Sequence, residues 1–285
     1  MRAVSILADS TCDLSEELME KYHIATIPLH IHLGDEEYLD GVSITPDRIY
    51  EWSDEHKATP KTSTVSPAEA EDFLKEHLKE AEEVVCFCIS GDMSTCGSVL
   101  TMAAADMGVE ERVFVVDSEN LSTGIGLQII EAAIMAEQGM SAKEIVENIR
   151  EIRPLVRASF VVDTLMYLYR GGRCSGLAAM AGSAFKLHPC ISVINGKMQA
   201  GKKYRGKMEK VIHDYVENLK PALQNARPER VFITHSGCED SIIDAVKLQL
   251  QELNLFNEIL VTRAGGVISS HCGPRTLGVL FIARD

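Results

Sequence analysis

The chain has 285 residues, 46% hydrophobic and 25% charged, with a formal net charge of −14. That length predicts two domains around separate cores. The acidic balance excludes whole-surface attraction to nucleic acid or an anionic membrane, and no stretch approaches the roughly 20 apolar residues that span a bilayer.

The opening "MRAVSILADSTCD" has Asp9 and Asp13 where a signal peptide would need a small-residue cleavage site, so a cytoplasmic location is expected. "AVSILAD" reads as a short strand, and Ser15 then caps a helix through Tyr22. "TIPLHIHL" alternates as a strand should, with His30 and His32 on one face. A same-face histidine pair is a metal-ligand geometry, but no Cys or carboxylate at ligand spacing joins it, and no metal is assigned. In "TPKTSTVSPAEAEDFL", Ser66, Pro67 and Glu69 form a capping box with Pro at the first helical position. The hydroxyls of Thr62, Ser63 and Thr64 therefore fall in the loop entering that helix. "VVCFCIS" is a buried strand, "GDMSTCGS" leads into a helix to about Met107, and "RVFVVDS" is a strand ending at Asp117 and Ser118. Two helices follow, in "LSTGIGLQIIEAAIMAEQG" and "SAKEIVENIREIRP".

Repeated strand–loop–helix units predict a parallel sheet covered by helices, with ligands beyond the carboxyl ends of its strands. Asp9-Ser10-Thr11, Ser90-Gly91 with Ser94-Thr95, and Asp117-Ser118 all follow strands and should converge on one rim. After "RASFVVDTLMYL" the second half continues with two strands around the Asn195-Gly196 turn and a helix from Lys207 to about Leu223. The strand "RVFITHS", another helix, and the strands "EILVTRAG" and "LGVLFIAR" complete an α/β domain with a mixed sheet. The expected organisation is an α/β domain with a helix-covered parallel sheet over residues 1–155 and a second α/β domain with a mixed sheet over 156–285.

Eight cysteines include no C-x-x-C pair. Cys86 and Cys88 share a strand face, and Cys12, Cys96, Cys174, Cys190, Cys238 and Cys272 are scattered. In a reducing compartment they read as small buried hydrophobes, those in loop-like motifs remaining open to incidental thiol chemistry.

The usual catalytic signatures fail. "GIGLQI" lacks the third glycine of a dinucleotide loop, no phosphate-binding G-x-x-x-x-G-K-[ST] exists, and no G-x-S-x-G elbow appears. What remains is an abundance of Ser, Thr and Gly at strand ends, plus His271 in the Gly-flanked "GGVISSHCGP". Hydroxyls and one His are neutral donors suited to a carboxylate, without the base–nucleophile–orienter order of a hydrolase. In "LMYLYRGGRCSG", Arg170 and Arg173 bracket Gly171-Gly172. An anion site, a partner-docking corner and a charged turn between helices all fit that pattern.

Seven motifs in order carry a resemblance: "DSTCDL", "TSTVSP", "SGDMSTCGS", "VDSENLSTGIG", "LYRGGR", "KLHPCISVINGK" and "GGVISSHCGP". Over nearly its whole length the sequence resembles the DegV family, fatty-acid-binding proteins that serve as the binding subunit of bacterial fatty acid kinase. The resemblance implies a three-layer α/β/α domain followed by an α/β domain with a mixed sheet, clamping one long-chain fatty acid at their interface in a buried apolar tunnel, with no cofactor and no catalytic residue. Carried over by motif, the carboxylate would be held by Thr62, Ser63, Ser94 and His271. A separate kinase subunit would phosphorylate it with ATP to an acyl phosphate. Arg170 and Arg173, with Lys203 and Arg205 from the cluster "GKKYRGK", would form a basic rim for docking that kinase or for transient membrane contact. The chain departs from the family at Thr95 and Ser269, where glycine is usual, and at Arg275, where glycine is common. Two other functional classes stand beside this carrier: a lipid-responsive regulatory protein, and a hydrolase or transferase using Ser94 or Ser118 with His271.

Overall fold

The side chains of Arg2–Asp9 (β1) alternate between two cores. Val4, Ile6 and Ala8 enter one apolar cluster and Leu7 another, as the period of two along a strand requires. The computed structural model describes residues 2–173 and 187–285; Cys174 lies outside them. After β1 come α1 (Glu16–Tyr22), β2 (Ala25–Ile27), β3 (His30–Leu33), β4 (Glu36–Leu39), α2 (Pro46–His56) and β5 (Lys61–Ser63). Next are α3 (Pro67–His77), β6 (Ala81–Cys88), α4 (Cys96–Asp106), β7 (Val113–Asp117), α5 (Thr123–Glu137) and α6 (Ala142–Ile152). The expected parallel sheet forms in the order β2-β1-β6-β7. Ser15 caps α1, and full capping boxes at Ser66/Glu69 and Ser141/Glu144 start α3 and α6.

The second half supplies β8 (Val156–Val161), α7 (Met166–Gly171), β9 (His188–Ile194), β10 (Lys197–Tyr204) and α8 (Met208–Leu223). It ends with β11 (Ala226–His235), α9 (Asp240–Glu252), β12 (Glu258–Arg263), α10 (Gly266–Cys272) and β13 (Leu277–Ala283). Its sheet runs β10-β9-β8-β13-β11-β12 and is mixed: β11 and β12 are parallel and the other pairs antiparallel. The β9–β10 turn has positive φ at Asn195 (50°) and Gly196 (77°), the twist that suits a two-residue hairpin.

α5 joins the halves. Residues 123–130 of it are buried on every side, as in a helix packed between layers. Ile125, Leu127, Ile129 and Ile130 are fully buried, each worth about 1.5–3 kcal/mol of removed apolar surface. They share one cluster with Ile6 and Phe87 of the first sheet and Phe160, Ile191 and Leu280 of the second. α3 and α4 cover the far face of the first sheet, and α8 and α9 the far face of the second. The result is a helix–sheet–helix–sheet–helix stack, with the chain passing between sheets at Arg153–Leu155.

Two local expectations are corrected. "TIPLHIHL" is two strands. Ala25–Ile27 pairs with β1, Pro28 offers no backbone N–H to continue that ladder, and His30–Leu33 pairs antiparallel with β4 and β5 in a separate three-stranded sheet. Thr62 and Ser63, expected in a loop, end β5 in that same sheet.

Candidate ligand-binding site

A cavity of about 440 Å³ lies where the loops after β1 and β6, the end of β5, α7, β10 and α10 meet. Leu29, Ile89, Met93, Leu121, Leu168 and Ile268 give it apolar walls. Thr62, Ser63, Ser94 and His271, the four residues carried over by motif, all line it. A second, small chamber of about 30 Å³ adjoins it, sharing Leu121, Ile268 and Cys272 and reaching Phe160 and Leu280 of the second sheet.

His271 stands in the last turn of α10 rather than in the expected loop. Glycine and serine give α10 little intrinsic helix propensity, but its first amides have buried partners. Gly265 N–H donates to Asp13 Oδ1 (2.8 Å) and Gly266 N–H to Asp40 Oδ1 (2.6 Å). At the other end His271 Nε2 lies 2.8 Å from Thr62 Oγ1. Its Nδ1 is buried with no partner among the described residues. Burial, and secondarily the charge of Arg173, push the His271 pKa down to about 4, so the imidazole is neutral at pH 7.

Thr62 and Ser63 are successive on a strand and diverge. Thr62 meets His271, while the Ser63 hydroxyl lies 2.8 Å from His32 Nε2. Sequence reasoning did not single out Thr64 as a ligand contact, yet its Oγ1 is buried without a partner among the described residues and the residue lines the cavity. The signal was present in the run "TST".

Ser94 belongs to the loop that leads into α4. Its Oγ accepts from Cys96 N–H (3.2 Å), and its own N–H donates to Ser90 O (3.1 Å). Thr95 is the N-cap of α4 and makes no side-chain capping bond, so the positive end of an eleven-residue helix adjoins the cavity. The loop is tied to the second sheet by Ser90 Oγ–H, which donates to Gly196 O (2.7 Å).

The arginines separate. Arg173 lines the cavity, its guanidinium donating to Gly171 O (2.8 Å). Arg170, Lys203 and Arg205 are exposed and do not line it; Arg170 reaches Thr59 Oγ1 at 3.5 Å. His30 and His32 also part company: His30 sits between Glu37 (2.6 Å) and Glu69 (3.2 Å), carboxylates that sequence spacing did not reveal. Cys12, Cys86, Cys88, Cys96, Cys238 and Cys272 are buried, and Cys190 is partly so.

Among the described residues, neither Ser94 nor Ser118 pairs with His271. His271 Nε2 is engaged by Thr62, Ser94 Oγ is engaged by the Cys96 amide, and Ser118 Oγ–H donates to Asn120 O in the buried turn after β7. The departures are accommodated. Arg275 has φ 59°, the left-handed region that favours glycine, and its guanidinium pairs with Asp163. Ser269 is fully buried, its hydroxyl donating to Ala264 O (3.2 Å). No helix among the described residues is long and apolar enough to cross a membrane.

Residues 3–284 match the model of the DegV family, described as an uncharacterised protein family. A DegV domain-containing protein of Deinococcus radiodurans is 32% identical over 278 residues, covering 97% of each chain. Among solved structures, a DegV family protein from Thermus thermophilus described as binding fatty acid superposes with a TM-score of 0.91 at 30% identity, covering 99% of this chain and 100% of that one. DegV of Bacillus subtilis, described as a fatty acid binding protein, superposes with a TM-score of 0.86 at 25% identity, with both chains fully covered.

Proposed function

The chain belongs to the DegV family, and from that premise we propose that it binds one long-chain fatty acid and presents the carboxylate to a separate kinase subunit. The observation that carries this reading is the cavity's polarity. Its walls are largely aliphatic, and its polar lining combines the uncharged Thr62, Thr64, Ser94 and neutral His271 with Arg173 and an Asp92 paired to Lys197. Burial of an acyl chain is worth about 0.8 kcal/mol per methylene, and the hydroxyls hold the carboxylate. The α4 N-terminus and Arg173 add a positive field at that end.

The reaction served is acyl-phosphate formation. A carboxylate oxygen attacks the γ-phosphorus of ATP, the bond to the β-γ bridging oxygen breaks, and ADP leaves. In this reading the chain contributes binding and orientation; among the described residues no nucleophile–base pair stands at the cavity. The nucleotide belongs to the partner, which meets the exposed basic residues Arg170, Lys203 and Arg205. The Thermus thermophilus and Bacillus subtilis relatives, both described as binding fatty acid, support the ligand class.

Native mass spectrometry of gently purified protein tests the reading. One acyl chain per polypeptide is expected. Protein that carries none and takes up none when palmitic acid is added overturns it.

A further inference from the structure

The motif "DSTCD" is prominent in the sequence, yet of its residues only Thr11 reaches the cavity. The structure gives its second aspartate, Asp13, another task, shared with Asp40. Asp13 is 5% exposed, and its oxygens are both used: Oδ1 by Gly265 N–H (2.8 Å), Oδ2 by Ser122 Oγ–H (2.5 Å). Asp40, at the end of β4, is 3% exposed and mirrors it, with Oδ1 on Gly266 N–H (2.6 Å) and Oδ2 on Ser10 Oγ–H (2.8 Å). Asp9 supports the same turn, accepting from the Thr11 and Ile89 amides. Each clamp carboxyl group is thus aimed by a hydroxyl on one side and accepts from an amide at the start of α10 on the other.

α10 has seven residues, about 10 Å at 1.5 Å per residue. A helix so short has little intrinsic stability, so its place is set by what holds its ends. One end is fixed by the two carboxylates. The other carries His271, which faces Thr62. Resting on the fatty-acid reading above, we propose that Asp13 and Asp40 are positioning residues for the head-group site, fixing the imidazole of His271 through α10 without touching ligand.

The test compares two probes, palmitic acid and 1-hexadecanol, which share the chain and differ in the carboxylate. Asp13→Ala and Asp40→Ala are expected to weaken palmitic acid about tenfold, the scale of one hydrogen bond to a charged group. Hexadecanol should stay within about twofold. Asp13→Asn and Asp40→Asn keep an Oδ1 acceptor and should restore palmitic acid binding. Should the alanine variants fail to fold, Ser10→Ala and Ser122→Ala release the hydroxyls that aim the carboxylates, and are expected to give a smaller loss confined to palmitic acid. Equal losses for both probes, or folded alanine variants with unchanged palmitic acid affinity, overturn the proposal. Wild-type protein that binds neither probe overturns the fatty-acid reading instead. The proposal is then decided in ligand-free protein from the nitrogen resonances of His271, which should move in the alanine variants and return in the asparagine ones. Unmoved resonances overturn it.

Discussion

The imidazole of His271 packs on the backbone of Gly171, so closely that a β-carbon at residue 171 would overlap Nδ1. The last residue of α7 thus backs the histidine that faces Thr62. Gly171→Ala should displace the ring and reduce fatty-acid affinity by about tenfold or more, close to the effect of His271→Ala. Titration with a fluorescent fatty acid reads this, with a thermal melt to show that both variants fold. Wild-type affinity in Gly171→Ala would mean the ring is free to shift without loss.

The hydroxyls at the cavity's polar end should rank by where they point. Thr62→Ala and Ser94→Ala each remove a donor within reach of a carboxylate and should cost roughly 1.5–3 kcal/mol of ligand affinity. Thr64→Ala should follow them, since its buried Oγ1 has no partner among the described residues. Ser63→Ala should change little, because that hydroxyl is directed at His32 on the other face of β5. A Ser63→Ala loss as large as that of Thr62→Ala would place the Ser63 hydroxyl on the ligand.

Arg170 and Arg173 should behave differently despite their spacing. On the proposed kinase-presenting role, Arg170→Ala, alone or with Lys203→Ala and Arg205→Ala, should spare fatty-acid binding and slow phosphorylation by a kinase subunit. Because these charges are exposed, the defect should grow as salt is lowered. Arg173→Ala should alter ligand affinity itself and let the His271 pKa rise, since its charge is one cause of that depression. Paired measurements of affinity and turnover at two salt concentrations separate the cases.

Two buried groups tilt stability with pH in opposite directions. The His271 pKa is depressed from 6.5 to about 4, so the unfolded chain binds more protons between those values and stability falls as pH drops through that window. Desolvation raises the Asp13 carboxyl from 3.8 to about 8. The folded state then binds more protons, and stability falls as pH rises from about 4 to about 8. The slopes oppose each other below pH 6.5, and above it the Asp13 slope is left without the His271 counterweight. Asp13→Asn keeps the acceptor and removes the charge, so its melting temperature relative to wild type should climb between pH 6.5 and 8. A flat difference across that range would show that Asp13 has no such shift.

Local signals made most of the elements legible. Ser66/Glu69 and Ser141/Glu144 mark helix starts through hydrogen bonds that span three residues, and Asn195-Gly196 marks its hairpin through backbone conformation alone. α2 carried a comparable signal, Thr45 before Pro46. The short strands of the third sheet were harder, because "TIPLHIHL" keeps its alternation across Pro28 while changing partners. α10 was illegible for a different reason: its stabilising acceptors, Asp13 and Asp40, lie 252 and 226 positions from the amides they bind. A Gly-Gly-Ser-rich stretch reads as loop until those partners are in place. Motif alone named Thr62, Ser63, Ser94 and His271, which line one cavity, whereas the division between Ser63 and Thr62, and between Arg170 and Arg173, depends on strand face and helix end.

Thr62 and His271 are 209 positions apart, which orders events during synthesis. At about 5–20 residues per second, roughly 10–40 s pass between translation of the first and of the second. The parallel sheet and its helices can assemble in that interval, but the contact that closes the polar end of the cavity cannot. A ribosome-bound chain therefore lacks the Thr62–His271 contact until α10 emerges. A chain cut between α6 and α10 keeps every strand of the first sheet but lacks His271, and with it the contact that closes the cavity.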